Sequence, residues 1–181
     1  MKYLLLIIPS IALLSCNTIN REALIKTDSL LTVINSIDTL IAVYELDSTQ
    51  ERYKNMQKEV EFFGMYLMNF PENREQRDDV AEYANSAKGF KRFFNNLKTY
   101  QSNIQFSRKQ IETLNADINN GTLTDEEIEK YLSEEIKAVS ELHNMVSESV
   151  EKYNMLCSVY NKCKPSVILV IDSVKKANRI Q

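Results

Sequence analysis

Asn119-Asn120-Gly121-Thr122-Leu123-Thr124-Asp125-Glu126-Glu127-Ile128 is the stretch on which the fold turns. Asn-Asn-Gly ends one helix, with Gly121 suited to the left-handed conformation that closes a last turn. Thr124 opens the next helix as its N-cap, and Glu127 three residues on completes a capping box. Leu123 and Ile128 fall where a hydrophobic staple would place them, and three acids sit at the positive end of the helix dipole. Upstream, Tyr83, Ala87, Phe90, Phe94, Leu97, Tyr100, Ile104, Ser107, Ile111, Leu114 and Ile118 recur at steps of three and four, as a coiled-coil seam does. Downstream, Leu132, Ile136, Val139, His143, Val146, Val150, Tyr153, Cys157 and Tyr160 do the same. The spacing predicts helices over about 73–119 and 125–162, each roughly 55–70 Å long. If the turn is tight, residues whose numbers sum to about 243 face each other. Phe90 then meets Tyr153, Tyr83 meets Tyr160, and Tyr100 meets His143, a polar pair that would satisfy its own hydrogen bonds.

The N-terminal third is also periodic, but its stripe is interrupted. Leu30, Ile34, Ile37, Ile41 and Tyr44 form one seam; Tyr53, Met56, Val60, Phe63, Leu67 and Phe70 form another. The gap between Tyr44 and Tyr53 is about 2.5 turns, which puts the two stripes on nearly opposite faces. Either the helix breaks near Asp47, where Ser48-Thr49-Gln50-Glu51 reads as a capping box, or one helix changes partners midway. Pro71 closes this section. Lys164-Pro165 ends the helix before it, and Val167 to Val174, though rich in β-branched residues, read as a short final helix with Pro165 in its first turn. A lone strand there would leave its backbone groups unpaired.

The expected fold is therefore all-α: an elongated antiparallel helical bundle or coiled coil with three long helical sections and a short C-terminal helix. Three Gly, three Pro and no Trp in 181 residues agree with long uninterrupted elements.

Residues 1–15 read as a processing signal. Lys2 supplies the positive start, and Tyr3 to Leu14 carry no charge but are too few to span a bilayer, which takes about 20 residues. The stretch ends in Leu13-Leu14-Ser15-Cys16, which resembles the bacterial lipobox: an aliphatic residue at −3, a small one at −1 and cysteine at +1. The resemblance implies cleavage before Cys16 and lipid attachment to its thiol, and so an extracytoplasmic protein held to a membrane by its N-terminal lipid. Asn17 is not the aspartate that resembles an inner-membrane retention signal, and Asn17 to Glu22 lack the acidic run that resembles a surface-export signal. The outer membrane facing the periplasm is the expected site, with the cell surface as the other. The expected layout is a signal peptide over 1–15, a tether over 16–22 and a helical domain over 23–181.

The mature chain would hold 166 residues with 21 basic and 25 acidic side chains, a mild acidity that argues against nucleic acid as partner. Its remaining cysteines, Cys157 and Cys163, would lie where disulfides persist. Six residues apart in one straight helix they would be about 9 Å apart along the axis, too far to bond. They can pair only if the chain turns after about Tyr160.

His143 is the single histidine, with Ser140 where a di-iron bundle would need glutamate. No zinc spacing, catalytic constellation or cofactor motif is present, so no catalytic residue, metal or cofactor is expected, and His143 reads as structural. Phe62, Phe63, Tyr66, Phe70, Phe90, Phe93 and Phe94 read as core at helical spacing, with a ligand pocket as the alternative. Four of eight aspartates are followed by Ser or Thr and then an apolar residue or Thr: Asp28-Ser29-Leu30, Asp38-Thr39-Leu40, Asp47-Ser48-Thr49 and Asp172-Ser173-Val174. This resembles the O-glycosylation motif of exported Bacteroidota proteins and implies glycans on Ser29, Thr39, Ser48 and Ser173; the same pairs also serve as helix-start and turn chemistry. The expected function is non-catalytic, a lipid-anchored envelope protein presenting a helical surface to a protein partner or spacing one from the membrane. The alternative is a carrier of a small ligand or lipid in a pocket between helices.

Overall fold

The structure, a computed structural model, describes residues 20–45, 47–66 and 73–178, with the side chains of 45, 47 and 48 left aside. The signal segment, Cys16, most of the tether, the Ser48 side chain, the seam positions Leu67 and Phe70, and Pro71 lie outside the described residues. Those described form four helices packed into a bundle, with no strand: α1 (Arg21–Ala42), α2 (Asp47–Tyr66), α3 (Arg74–Asn119) and α4 (Asp125–Asn178), with a 3-10 turn, Val43–Glu45, between the first two.

The α3–α4 turn forms as its chemistry dictates. Gly121 sits at φ 62°. Its N–H donates to the Ile118 carbonyl, and the Thr122 N–H to the Asp117 carbonyl, both at 3.1 Å, satisfying carbonyls that the helix end would otherwise orphan. The Glu127 N–H donates to Thr124 Oγ1 at 3.3 Å while the Thr124 N–H donates to the Glu127 carboxylate at 2.9 Å, a reciprocal capping box. The antiparallel register follows: the Phe90 and Tyr153 rings lie 5.3 Å apart and those of Tyr83 and Tyr160 5.6 Å apart. A side chain on Gly89 would meet Leu156 at 2.7 Å, so glycine lets the two helices approach there.

α4 does not stop at Lys164. It runs through Pro165 to Asn178, so the expected short C-terminal helix is the last part of α4. Proline removes one backbone hydrogen bond and crowds the preceding turn, a cost of about 3 kcal/mol. Here Pro165 lies on the exposed side, where water can serve the freed Asn161 carbonyl, while Cys163, Val167 and Val170 on the other side are buried. Burying two valines is worth roughly 1.5–3 kcal/mol each, and packing wins. Because the helix continues, the condition for the disulfide fails: Cys157 and Cys163 are free thiols.

The first column breaks. α1 buries Ala23, Thr27, Leu30, Ile34, Ile37 and Ile41. The 3-10 turn then re-aims the chain, so that α2 returns to the same α3–α4 hairpin instead of finding another partner. Both halves run antiparallel to α3 and parallel to α4: Asn115 donates to Thr27 Oγ1 at 2.6 Å near one end, and the Tyr83 hydroxyl donates to Glu59 near the other. At the break Tyr44 packs its ring 5.2 Å from Phe93 and 4.8 Å from Tyr153. No helix among the described residues is long and apolar enough to cross a membrane.

Candidate functional site

The densest polar constellation lies where α2, α3 and α4 meet. The Glu59 carboxylate accepts from the Tyr83 hydroxyl and from the Lys164 ammonium. These carboxylate and ammonium side chains are only 19% and 22% exposed, so the pair is far less screened than a surface one. The Lys164 ammonium also stands 5.7 Å from the Tyr83 ring centre and 5.6 Å from that of Tyr160, and Arg52 covers Tyr160 at 5.5 Å. Two turns of α2 earlier, Arg52 donates to Cys157 Sγ at 3.4 Å.

Beside this brace, Glu82 accepts from Lys162 at 2.8 Å and from the Cys163 thiol at 3.7 Å, and Ser166 donates to Asp79. The ligand atoms of Asp79, Glu82 and Cys163 lie within 4.8 Å of one another. They are the residues placed to meet a cation, but each already has a partner within the protein, and two hard carboxylates with one soft sulfur match no single metal well.

The electrostatics favour neutral, protonated groups. Burial, reinforced by Glu82 and Asp79, pushes the Cys163 thiol up to about 11. Burial first, then the Glu59 hydrogen bond, holds the Tyr83 phenol well above its ordinary value, and burial followed by Cys157 raises Tyr153 in the same direction. At neutral pH Cys163 is a buried thiol without the thiolate that attack or ligation needs. The arrangement braces helices. The sequence singled out Cys157 and Cys163 but missed Glu59 and Lys164, which stand 105 residues apart and form no local pattern.

The Tyr100–His143 pair is not made. Tyr100 is buried, and its hydroxyl accepts from Asn96 on its own helix at 3.5 Å; His143 is exposed, and Leu142 is buried in its stead. The apolar side of α4 is thus rotated by one residue at this level, because an imidazole can keep its water where a leucine cannot. Ile136, another expected seam residue, is exposed as well, although Leu132 and Val139 on either side of it are buried.

Of the four hydroxyls in Asp-Ser/Thr motifs, Ser29, Thr39 and Ser173 are exposed, each donating to the carbonyl four residues back at 2.8–2.9 Å. They are set within helices, not at helix starts. Ser48 lies outside the described side chains.

Among the grooves lined by described residues, two lie against α4. One, of about 480 Å³, runs between α3 and α4 over Phe93, Tyr153 and Leu156, with Arg92, Met145 and Met155 as walls. The other, of about 420 Å³, lies at the hairpin end between α1 and α4. The aromatic residues of α2, α3 and α4 pack on one another: Tyr53 stacks on Phe94 at 5.1 Å, and Phe93 lies 4.5 Å from Tyr153.

Comparison of the chain with protein-family models, with curated proteins and with solved structures finds no match.

Proposed function

We propose that the protein is a non-catalytic lipoprotein of the cell envelope, an elongated antiparallel coiled-coil bundle that presents a helical surface to a protein partner or spaces one from the membrane. The observation that carries this reading is Leu13-Leu14-Ser15-Cys16 at the end of an uncharged stretch, a pattern that would make Cys16 the lipid acceptor. Two helices of 46 and 54 residues suit a spacer. The titratable groups brought together at the α2 junction are spent on one another, which supports the absence of catalysis. The larger groove is walled by exposed Arg92, Met145 and Met155, so it is a feature of the surface, and this favours a partner-facing role over a carrier's pocket. Glycans on Ser29, Thr39 and Ser173 would decorate exposed faces of α1 and α4 without disturbing the core.

The anchor is tested by Cys16→Ala. The variant should lose labelling by a palmitate analogue and retain its signal segment. Continued labelling would end the lipoprotein reading.

A further inference from the structure

Resting on the lipid-anchored reading, we infer that the bundle stands on its Gly121 hairpin, with the α3–α4 turn toward the membrane and the end of α2 pointing away. Asn20 caps α1 and opens the described chain, its side chain accepting from the Ala23 N–H at 3.0 Å. It lies at the hairpin end: Asn20, Ala23 and Lys26 share a groove with Asp125, Ile128 and Leu132, the first turns of α4. The bond from Asn115 to Thr27 puts the last turns of α3 there as well.

Cys16 precedes Asn20 by four residues, a reach of at most about 14 Å. An acyl group on Cys16 therefore holds the hairpin end against the bilayer. Lys164 and its partner Glu59 lie 39 residues along α4 from Asp125, about 60 Å away at the helical rise. That end can approach the membrane only if the whole bundle lies on its side.

The flanks do not favour lying down. A helix that rests in a lipid interface shows one apolar face with basic residues beside it. The large exposed apolar residues of α4, namely Tyr131, Ile136, Met145, Met155, Ile168 and Leu169, point in widely different directions around a 3.6-residue turn. The hairpin end carries Asp117, Asp125, Glu126, Glu127 and Glu129, which gain nothing from anionic headgroups, so it is the acyl group and not charge that keeps this end near the bilayer. The acyl chain then holds the protein at one point, and the Glu59–Tyr83–Lys164 brace is carried outward.

The chain has no tryptophan, so one introduced residue reports alone. Glu126→Trp marks the hairpin end and Lys176→Trp the opposite end, both at exposed positions. Each lipidated full-length variant is placed in vesicles of phosphatidylethanolamine and phosphatidylglycerol doped with a dansyl-headgroup lipid, and energy transfer from tryptophan is read. Transfer should be several-fold stronger from Glu126→Trp than from Lys176→Trp. Neutron reflectometry on a supported bilayer of the same lipids should show a protein layer about 70–80 Å thick. Equal transfer from the two sites with a layer of about 20–25 Å, two helix diameters, would mean that the bundle lies flat and would overturn the orientation. Stronger transfer from Lys176→Trp would overturn it as well. Absence of an acyl group on Cys16 overturns the anchor and the orientation together, whereas an acylated protein with equal transfer overturns the orientation alone.

Discussion

α1 and α2 form two halves of one column on the same α3–α4 hairpin, yet they are held by different chemistry. α1 presents an aliphatic face: Leu30, Ile34, Ile37 and Ile41 are at most 9% exposed, and its polar contacts, Asn115 to Thr27 and Arg108 to Asp38 at 3.0 Å, lie along the margin. In α2 only Met56 and Phe63 are buried among the described side chains, and the rest of its hold comes from Tyr53 on Phe94, Arg52 on Cys157 and the Glu59 brace. Apolar burial is additive and indifferent to pH, whereas a brace of charges and hydroxyls is directional and fails when one member is lost. The column is therefore predicted to be uneven, with α1 as firm as the hairpin and α2 the half that opens first.

The largest effect should come from the aliphatic half. Ile34→Ala removes a side chain with no exposed surface and leaves a cavity among three helices. We expect a loss of roughly 2–5 kcal/mol in urea unfolding, with α1 and the hairpin melting together. A loss below about 1 kcal/mol would show that α1 is no better seated than α2.

Glu59→Leu attacks the other half. It leaves the Tyr83 hydroxyl and the Lys164 ammonium without their acceptor, at roughly 1–3 kcal/mol, toward the lower end because the charged pair keeps some contact with water. Hydrogen exchange should quicken across α2 and remain slow in α1. Adding Lys164→Met should recover part of the loss, since the uncompensated charge is then gone. Equal quickening in both halves would refute the unevenness.

Much of this was legible in the sequence, and the reason is locality. The hairpin rests on ten consecutive residues whose caps, turn and staple agree, and the register followed from counting outward from Gly121. The helix break was legible as the nine-residue gap between Tyr44 and Tyr53, but only the packed hairpin decided between a break and a change of partners. What failed were positions where a one-residue rotation or a distant contact decides. Leu142 and His143 compete for one inward position, and the three-four pattern admits either. Pro165 reads as a stop because its cost is local, while the Val167 and Val170 burial that outweighs it depends on α3 and α1–α2 being in place. Glu59 and Lys164 are ordinary surface residues until the fold joins them.

Alkali should sharpen the contrast next. The folded state holds the Cys163 proton more tightly than the unfolded chain does, about 11 against an ordinary 9.0. Stability is then full below pH 9, and falls as the pH rises toward 11 because the unfolded chain releases its proton first. The loss from this thiol is at most on the order of 2 kcal/mol. Tyr83 and Tyr153, raised in the same sense, extend the decline to higher pH. Denaturation midpoints measured from pH 8 to 11 should fall, and Cys163→Ala should flatten the first part of the slope. An unchanged slope in that variant would remove Cys163 from the account.

The smallest effect should come from the hairpin cap, and it is a control for the comparison as well as a test of the turn. Thr124→Ala removes the hydroxyl that accepts from the Glu127 N–H, a loss of about 1 kcal/mol for a helix N-cap. The turn joins α3 to α4, on which both halves of the first column rest, so exchange in α1 and α2 should quicken by the same factor. The cap also carries a pH signature. Hydrogen bonds from the Thr124 backbone and side chain hold the Glu127 carboxyl below its ordinary value of 4.5. A carboxyl depressed in the fold stabilises it above the ordinary carboxylate range, and that contribution is lost as the pH falls through the folded value. Titration of Glu127 by NMR should therefore move upward in Thr124→Ala as the side-chain bond disappears. The backbone bond from the Thr124 N–H persists, so the shift should be partial. A Glu127 titration unmoved by the substitution would mean that the capping box is not formed in solution, and the register counted from this turn would lose its origin.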